Sequence, residues 1–182
     1  MSFLPAPAID TLDKAGKLRV GTRRDLARVG IGVAVRQGVP LPDVSTVDAV
    51  RTMLLEARSI VHPDPQGGGF TGAHIARMIE RLGVADAVKP KLKLMFAIGG
   101  GVAAIAAGDG EIGLFNISEI LPVPGVTMAG PLPAALQNYI AFAGALGPNS
   151  SEPASAFLRF VASPDANEAW RAGGFEPLVG RR

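Results

Sequence analysis

The stretch HPDPQGGGFTGAHIARMIERLG, His62 to Gly83, decides the fold. A short apolar segment, SIVHP from Ser59 to Pro63, leads into it and runs on through the glycines 67 to 69 into a patterned helix. Ile75, Met78, Ile79 and Leu82 recur at helical spacing, so the pattern predicts a helix over Thr71 to Leu82 that stops at Gly83. A strand that feeds a helix through a glycine-rich turn is the repeating unit of an α/β sheet. The first turn of such a helix carries backbone N–H groups with no intrahelical partner, and the helix dipole adds partial positive charge there. That suits an anion. Equally, glycines at this place let a helix pack closely on a sheet, and the residues alone leave both readings open.

Working outward, the same unit recurs. KLKLMFA, Lys91 to Ala97, alternates as a strand does; a second glycine run, Gly99 to Gly101, leads into VAAIAAG, a short helix stopped by Gly108. Upstream, VGIGVAVR, Val29 to Arg36, reads as a buried strand. STVDAVRTMLLEARS reads as a helix, with Ser45 or Thr46 as its cap and Val50, Met53, Leu54 and Ala57 on one face. Downstream, EIGLFN is a buried strand, ISEI a helical turn, LPVPGVTMAGPLP a proline-punctuated connection and NYIAFAGAL a further strand. Two helices broken at Ser163-Pro164 complete the pattern. The alternation predicts a largely parallel sheet covered by helices.

Composition narrows the function. With 48% hydrophobic and 19% charged residues in 182, the chain is globular and long enough for one domain or two small lobes. Aromatics at 5% make its core aliphatic. The net charge of +2 is spread out, and Arg19, Arg23, Arg24 and Arg28 read as a solvated surface, so no nucleic-acid partner is expected. The absence of cysteine removes disulfides, thiolate catalysis and thiolate metal ligation. No apolar run approaches the roughly 20 residues of a membrane span, and MSFLPAPAID lacks the pattern of a signal peptide. GGGFTG has no lysine where a P-loop needs one, and GGGVAAIAAG lacks the dinucleotide fingerprint, so no cofactor is expected.

Enzyme chemistry has few candidates. There are two histidines, no HExxH and no carboxylate cluster at ligand spacing, so no metal is expected. His62, at the end of a strand, with Asp64 as orienting partner is the one acid/base pair the order of residues offers; the alternative is a hydrogen-bonded loop histidine. His74 reads as a capping or packing residue in the helix after the glycines, and Ser118 and Glu119 as the start of a short helix.

The runs DLARVGIGVAVRQGVPLPDVSTVDAV, DPQGGGFTGAHIARMIERLGV, GGGVAAIAAGDGEIGLFNISEILPVPGV and FLRFVASPDANEAWRAGGFEP resemble the molybdate-type extracellular solute-binding proteins of ABC transporters. The resemblance extends from about Leu4 to Pro177. It implies an α/β, type 2 periplasmic-binding-protein-like fold: a two-lobed clamp that closes on a small anion. Residues 37–137 would form one near-complete lobe, and 1–36 with 138–182 a truncated first lobe that includes the hinge strands, Gly32 to Arg36 and Tyr139 to Ala143. By similarity, the ligand would be held by Thr71 and Gly72, by Gly99 and Gly100, and by Asn116, where molybdate binders carry a tyrosine.

Family members begin with a further first-lobe segment that supplies two hydroxyl residues to the anion, and the chain resembles them only beyond it. A remnant first lobe would have unpaired edges, to be covered by a second copy in a homodimer or left partly ordered. The resemblance implies the periplasm and an ABC-transporter membrane subunit as partner for an exported protein. Without a signal peptide, a genuine start at Met1 would imply the cytoplasm. The expected function is binding of a small oxyanion or carboxylate. The alternative is an enzyme, of isomerase or hydrolase type, built on the same fold.

Overall fold

A computed structural model describes residues 1–67, 69–95 and 100–179. The chain divides into two compact units, Met1–Val29 with Tyr139–Arg182, and Gly30–Asn138. The expected break at residue 36 moves to Val29. Ile31–Arg36 belongs to the larger unit because both its edges pair with strands of that unit.

The smaller unit contains β1 (Ser2–Pro5), α1 (Ala6–Lys14), β2 (Arg24–Val29), β8 (Ile140–Ala145), α7 (Glu152–Val161), α8 (Asn167–Ala172) and β9 (Glu176–Pro177). Its strands lie in the order β1-β8-β2-β9, and every pairing is antiparallel. Ala143 and Ala145 turn one face of β8 toward Ile9 and Leu12 of α1. On the other side Leu26 and Leu146 meet Leu158 of α7 and Trp170 of α8. Arg28 donates through Nε and Nη2 to Glu176 Oε2 at 3.0 and 2.7 Å, and its guanidinium lies 3.7 Å from the centre of the Tyr139 ring. This arginine, read as solvated from the sequence, stitches β9 to β2.

The larger unit holds β3 (Ile31–Arg36), α2 (Val47–Glu56), β4 (Ile60–Pro63), α3 (Phe70–Arg81), α4 (Ala85–Val88), β5 (Leu92–Met95), α5 (Gly100–Ala107), β6 (Ile112–Asn116), α6 (Ile117–Ile120) and β7 (Val126–Pro131). The sheet order is β5-β4-β6-β3-β7. Among the described residues β5–β4 and β4–β6 are parallel; β6–β3 and β3–β7 are antiparallel. The sheets are therefore mixed and antiparallel, which corrects the expectation of a largely parallel sheet. Part of the reason is β7, read from the sequence as a connection because prolines bracket it. It is an edge strand, where a proline interrupts no ladder on its open side.

Alternation along each strand divides the core between two faces. Ile31, Val33, Val35, Ile60, Ile112 and Leu114 pack with α2 and α3, whereas Ala34, Val61 and Phe115 pack with Val102 and Ile105 of α5 and Ile120 of α6. Thr46 caps α2, its side chain accepting from Ala49 N at 3.0 Å. Of the two caps the sequence offered, Thr46 and not Ser45 is the one used. Gly83 ends α3 with φ +66, as its position predicts.

Candidate functional site

The helices α3 and α5 follow the parallel neighbours β4 and β5, so both begin at the same edge of the sheet, where ligands of open α/β folds sit. The first turn of α3 has Gly69 at its cap position with no side-chain hydrogen bond. Its leading N–H groups are thus not closed off by a capping side chain.

Gly72 explains how close this turn comes to the sheet. A Cβ there would lie 2.4 Å from the carbonyl oxygen of Pro63 and 2.9 Å from the carbonyl carbon and oxygen of Asp64. The helix start therefore rests directly on the backbone that leaves β4, and only glycine fits. Asp64 shapes that backbone. Its Oδ1 accepts from Gln66 N at 2.6 Å, its carbonyl accepts from Gly67 N at 3.0 Å and its own N–H donates to Met95 O at 2.9 Å. Asp64 is a turn-forming residue here.

Thr71, next in the same turn and 5% exposed, donates its hydroxyl to Asn116 Oδ1 at 2.8 Å. Asn116 ends β6 and donates from Nδ2 to Glu119 Oε1 at 2.6 Å. The polarity of this chain follows from its last member. A carboxylate only accepts, so the amide nitrogen of Asn116 must face Glu119; its oxygen then faces Thr71, and Thr71 must donate. The hydroxyl hydrogen of Thr71 and one amide hydrogen of Asn116 are therefore committed within the protein. Thr71, Gly72 and Asn116, expected to act together, do come together. Gly100 is the first residue of α5, and Gly99 lies outside the described residues. The neighbouring Gly101 has a packing reason, since a Cβ there would lie 2.5 Å from Cε1 of Phe115. The contribution of Glu119 could be read from the sequence only as part of a short helix, because its link to Thr71 joins residues 48 positions apart through Asn116.

His62 is 1% exposed and lies, by alternation, on the same face of β4 as Ile60, toward α3. Its Nδ1 is 2.8 Å from Pro63 O, so Nδ1 carries the hydrogen and Nε2 is a bare acceptor. Nε2 is buried and has no hydrogen-bond partner among the described residues. Burial, more than the opposing effects of the Pro63 carbonyl and Asp64, holds the imidazole below the usual histidine range. It is a neutral base at neutral pH. Asp64 contributes charge to His62, whereas the imidazole hydrogen bond goes to the Pro63 carbonyl. His74 has its Nε2 2.8 Å from Leu136 O and ties α3 to the segment before the unit boundary. Among the described residues no group of three or more His, Asp or Glu could hold a metal ion, and no helix is long and apolar enough to cross a membrane.

Residues 2–176 match the family model for bacterial extracellular solute-binding proteins. An aconitate isomerase from a Pseudomonas species is 32% identical over 174 residues, covering 94% of this chain; the chain spans 64% of the length of that relative. Two solved structures share the fold. One, described as the substrate-binding domain of a molybdenum ABC transporter from Clostridium difficile, has a TM-score of 0.76 at 15% identity, covering 96% of this chain and 75% of its own. The other, the periplasmic molybdate-binding protein of Azotobacter vinelandii, has a TM-score of 0.70 at 19% identity, covering 95% and 76%. A match over nearly the whole sequence shows the family: the chain belongs to the bacterial extracellular solute-binding proteins.

Proposed function

We propose that the larger unit binds a small anion, an oxyanion or a small carboxylate, at the first turn of α3, and that the chain serves as the solute receptor for an ABC-transporter membrane subunit in the periplasm. The observation that carries this reading is the seating of α3. Gly72 lets its uncapped first turn rest on the end of β4, and the Thr71–Asn116 bond fastens the same turn to the end of β6. Fixed N–H groups at a helix start are already oriented for negative charge, so little ordering cost is left to binding. Thr71, Gly72, Gly100 and Asn116 are the residues proposed to line the site, with Gly99 proposed from the sequence. The test is calorimetric titration with molybdate, tungstate, sulfate, phosphate and small carboxylates at low salt. Saturable binding that weakens in Thr71→Val supports the reading, and silence across the panel in folded protein refutes it.

A second reading is favoured by His62 and by the 32%-identical relative named as an aconitate isomerase. A neutral imidazole with an unpaired Nε2 has the protonation state of a general base. In this reading the protein interconverts isomers of an unsaturated carboxylate, with His62 moving the proton. Incubation with one aconitate isomer, followed by NMR, tests it: the other isomer should appear with wild type and fail to appear with His62→Asn.

A further inference from the structure

A cavity of about 810 Å³ opens in the larger unit at the sheet edge opposite to the starts of α3 and α5, where β4, β5 and β6 begin and β3 ends. That is the size of pocket that takes a small organic ligand. Its floor is apolar: Val35, Met53, Ala57 and Ile112 are all buried. One wall is the loop from Val39 to Pro42, in which Leu41 is 54% exposed. Pro40 and Pro42 stiffen this loop. Its ends are fixed by Val39, packed on the core, and by Asp43, whose Oδ1 accepts from Ser45 N at 2.9 Å. The wall is thus shaped before a ligand arrives, and an apolar body laid over Leu41 removes exposed surface from water.

The lining also carries charges of both signs. Arg58 and Glu111 satisfy each other, with Nε 3.3 Å from Oε2. The Lys93 ammonium donates to the Asp109 carbonyl, which sets a positive charge beside the Asp109 carboxylate. Two charges are left over. Arg36, at the end of β3, has no hydrogen bond or ion pair among the described residues, and its Nη1 lies 3.4 Å from where a Cβ on Gly108 would stand. Glu56 is likewise without a partner among the described residues. It is the last residue of α2, a helix end whose dipole favours a cation and disfavours a carboxylate. Lys91 donates to the carbonyls of Leu54, Leu55 and Ala57 at that end, but it does not line the cavity and does not pair with Glu56. Arg36 and Glu56 therefore face one apolar floor without pairing with each other.

We propose that this cavity binds a zwitterion with an apolar body, a short apolar peptide, with its carboxylate on Arg36, its ammonium on Glu56 and its side chains over Leu41 and Met53. A guanidinium is a planar donor for a carboxylate. An ammonium at Glu56 meets both the carboxylate and the negative end of α2. The cavity has room for more than one amino-acid residue, which favours a peptide over a free amino acid. Both charged groups are exposed, so each ionic contact contributes little and the apolar floor supplies most of the affinity. The charges set selectivity: a ligand that lacks one of its ends leaves the matching side chain unpaired.

Calorimetric titration of the full chain at low salt with the tripeptide Leu-Ala-Leu, its N-acetyl form and its C-terminal amide tests this, because the three share one body and each capped form lacks one charge. The free tripeptide should bind at least about fivefold more tightly than either capped form. Arg36→Gln should abolish the preference over the amide and keep the preference over the N-acetyl form. Glu56→Gln should do the reverse, and this crossed pattern is one that a general loss of stability does not produce. Absence of saturable binding by the tripeptide overturns the proposal. So does equal or tighter binding of a capped form to wild type, or a pair of preferences that both survive in Arg36→Gln and in Glu56→Gln. The comparison of the three peptides needs no variant, so a misfolded substitution does not remove the test. The cavity lies at the other edge of the sheet, and its failure leaves anion binding at α3 standing.

Discussion

Replacing Gly72 by alanine should damage stability and ligand binding together. A Cβ at this position would stand 2.4 Å from the Pro63 oxygen, and ordinary contact begins near 3.4 Å, so the first turn of α3 must lift by about 1 Å. The opposing atoms are backbone at the end of a buried strand, which cannot swing aside as a long side chain would. Overpacking of this kind costs about 1–3 kcal/mol, and the better helix propensity of alanine returns at most about 1 kcal/mol. The net loss, about 1–2 kcal/mol, lowers the thermal midpoint by a few degrees. A displacement of about 1 Å in a positioning group can cost up to about a hundredfold in function, so affinity should fall by tenfold or more. The assay pairs urea unfolding with calorimetric titration of the ligand that wild type binds best. Gly69→Ala is the control. It lies in the same loop, has ordinary φ and meets no atom within 4 Å of an added Cβ, so it should be near neutral. If Gly72→Ala matches wild type in both measurements, helix seating is not what forms the site and the reasoning fails.

Stability should fall as the pH drops from about 7.5 toward 5, because the unfolded chain protonates His62 near its usual value of about 6.5 while the folded protein holds it lower. His62→Gln should flatten that part of a urea midpoint against pH curve; an unchanged slope would show that other groups set it. Gln137→Ala should cost about 2–4 kcal/mol in urea unfolding. Its amide accepts from Ile31 N at 2.7 Å and Asn138 N at 3.0 Å and donates to Ile31 O and Leu132 O, leaving four backbone partners to be satisfied again. Gly101→Ala should destabilise by about 1–3 kcal/mol through its clash with the Phe115 ring, and Phe115→Leu in the same chain should restore part of the loss. Additive effects in that double-mutant cycle would rule out the contact as the cause.

Most of the larger unit was legible in sequence order. The patterns over Val29 to Arg36, Ser45 to Ser59, Thr71 to Leu82 and Glu111 to Asn116 became β3, α2, α3 and β6, because each buries one or both faces and so carries its period on the surface of the sequence. The elements overlooked were of two kinds. β1 and β9 are too short to show a period, and β2, Arg-Asp-Leu-Ala-Arg-Val, has no alternation, so its arginines read as a solvated surface. β7 was hidden by flanking prolines that are harmless on an edge strand. Of the site, the glycine-rich start of α3 was visible, since an uncapped helix after a strand is a local feature.

What the sequence determined by itself was therefore local: most of the strands and helices of the larger unit, where those helices start and stop, and that α3 begins among glycines. The tertiary structure decided which side chains meet. Only in three dimensions do Thr71, Asn116 and Glu119 form one chain of hydrogen bonds, because they come from three elements that a shared sheet edge brings together. Only packing assigns each glycine its reason, with Gly72 set by the backbone of Pro63 and Asp64 and Gly101 by the ring of Phe115. The direction of each proton follows the same rule. It is set by the last acceptor of a network, and no residue carries that information in its own identity.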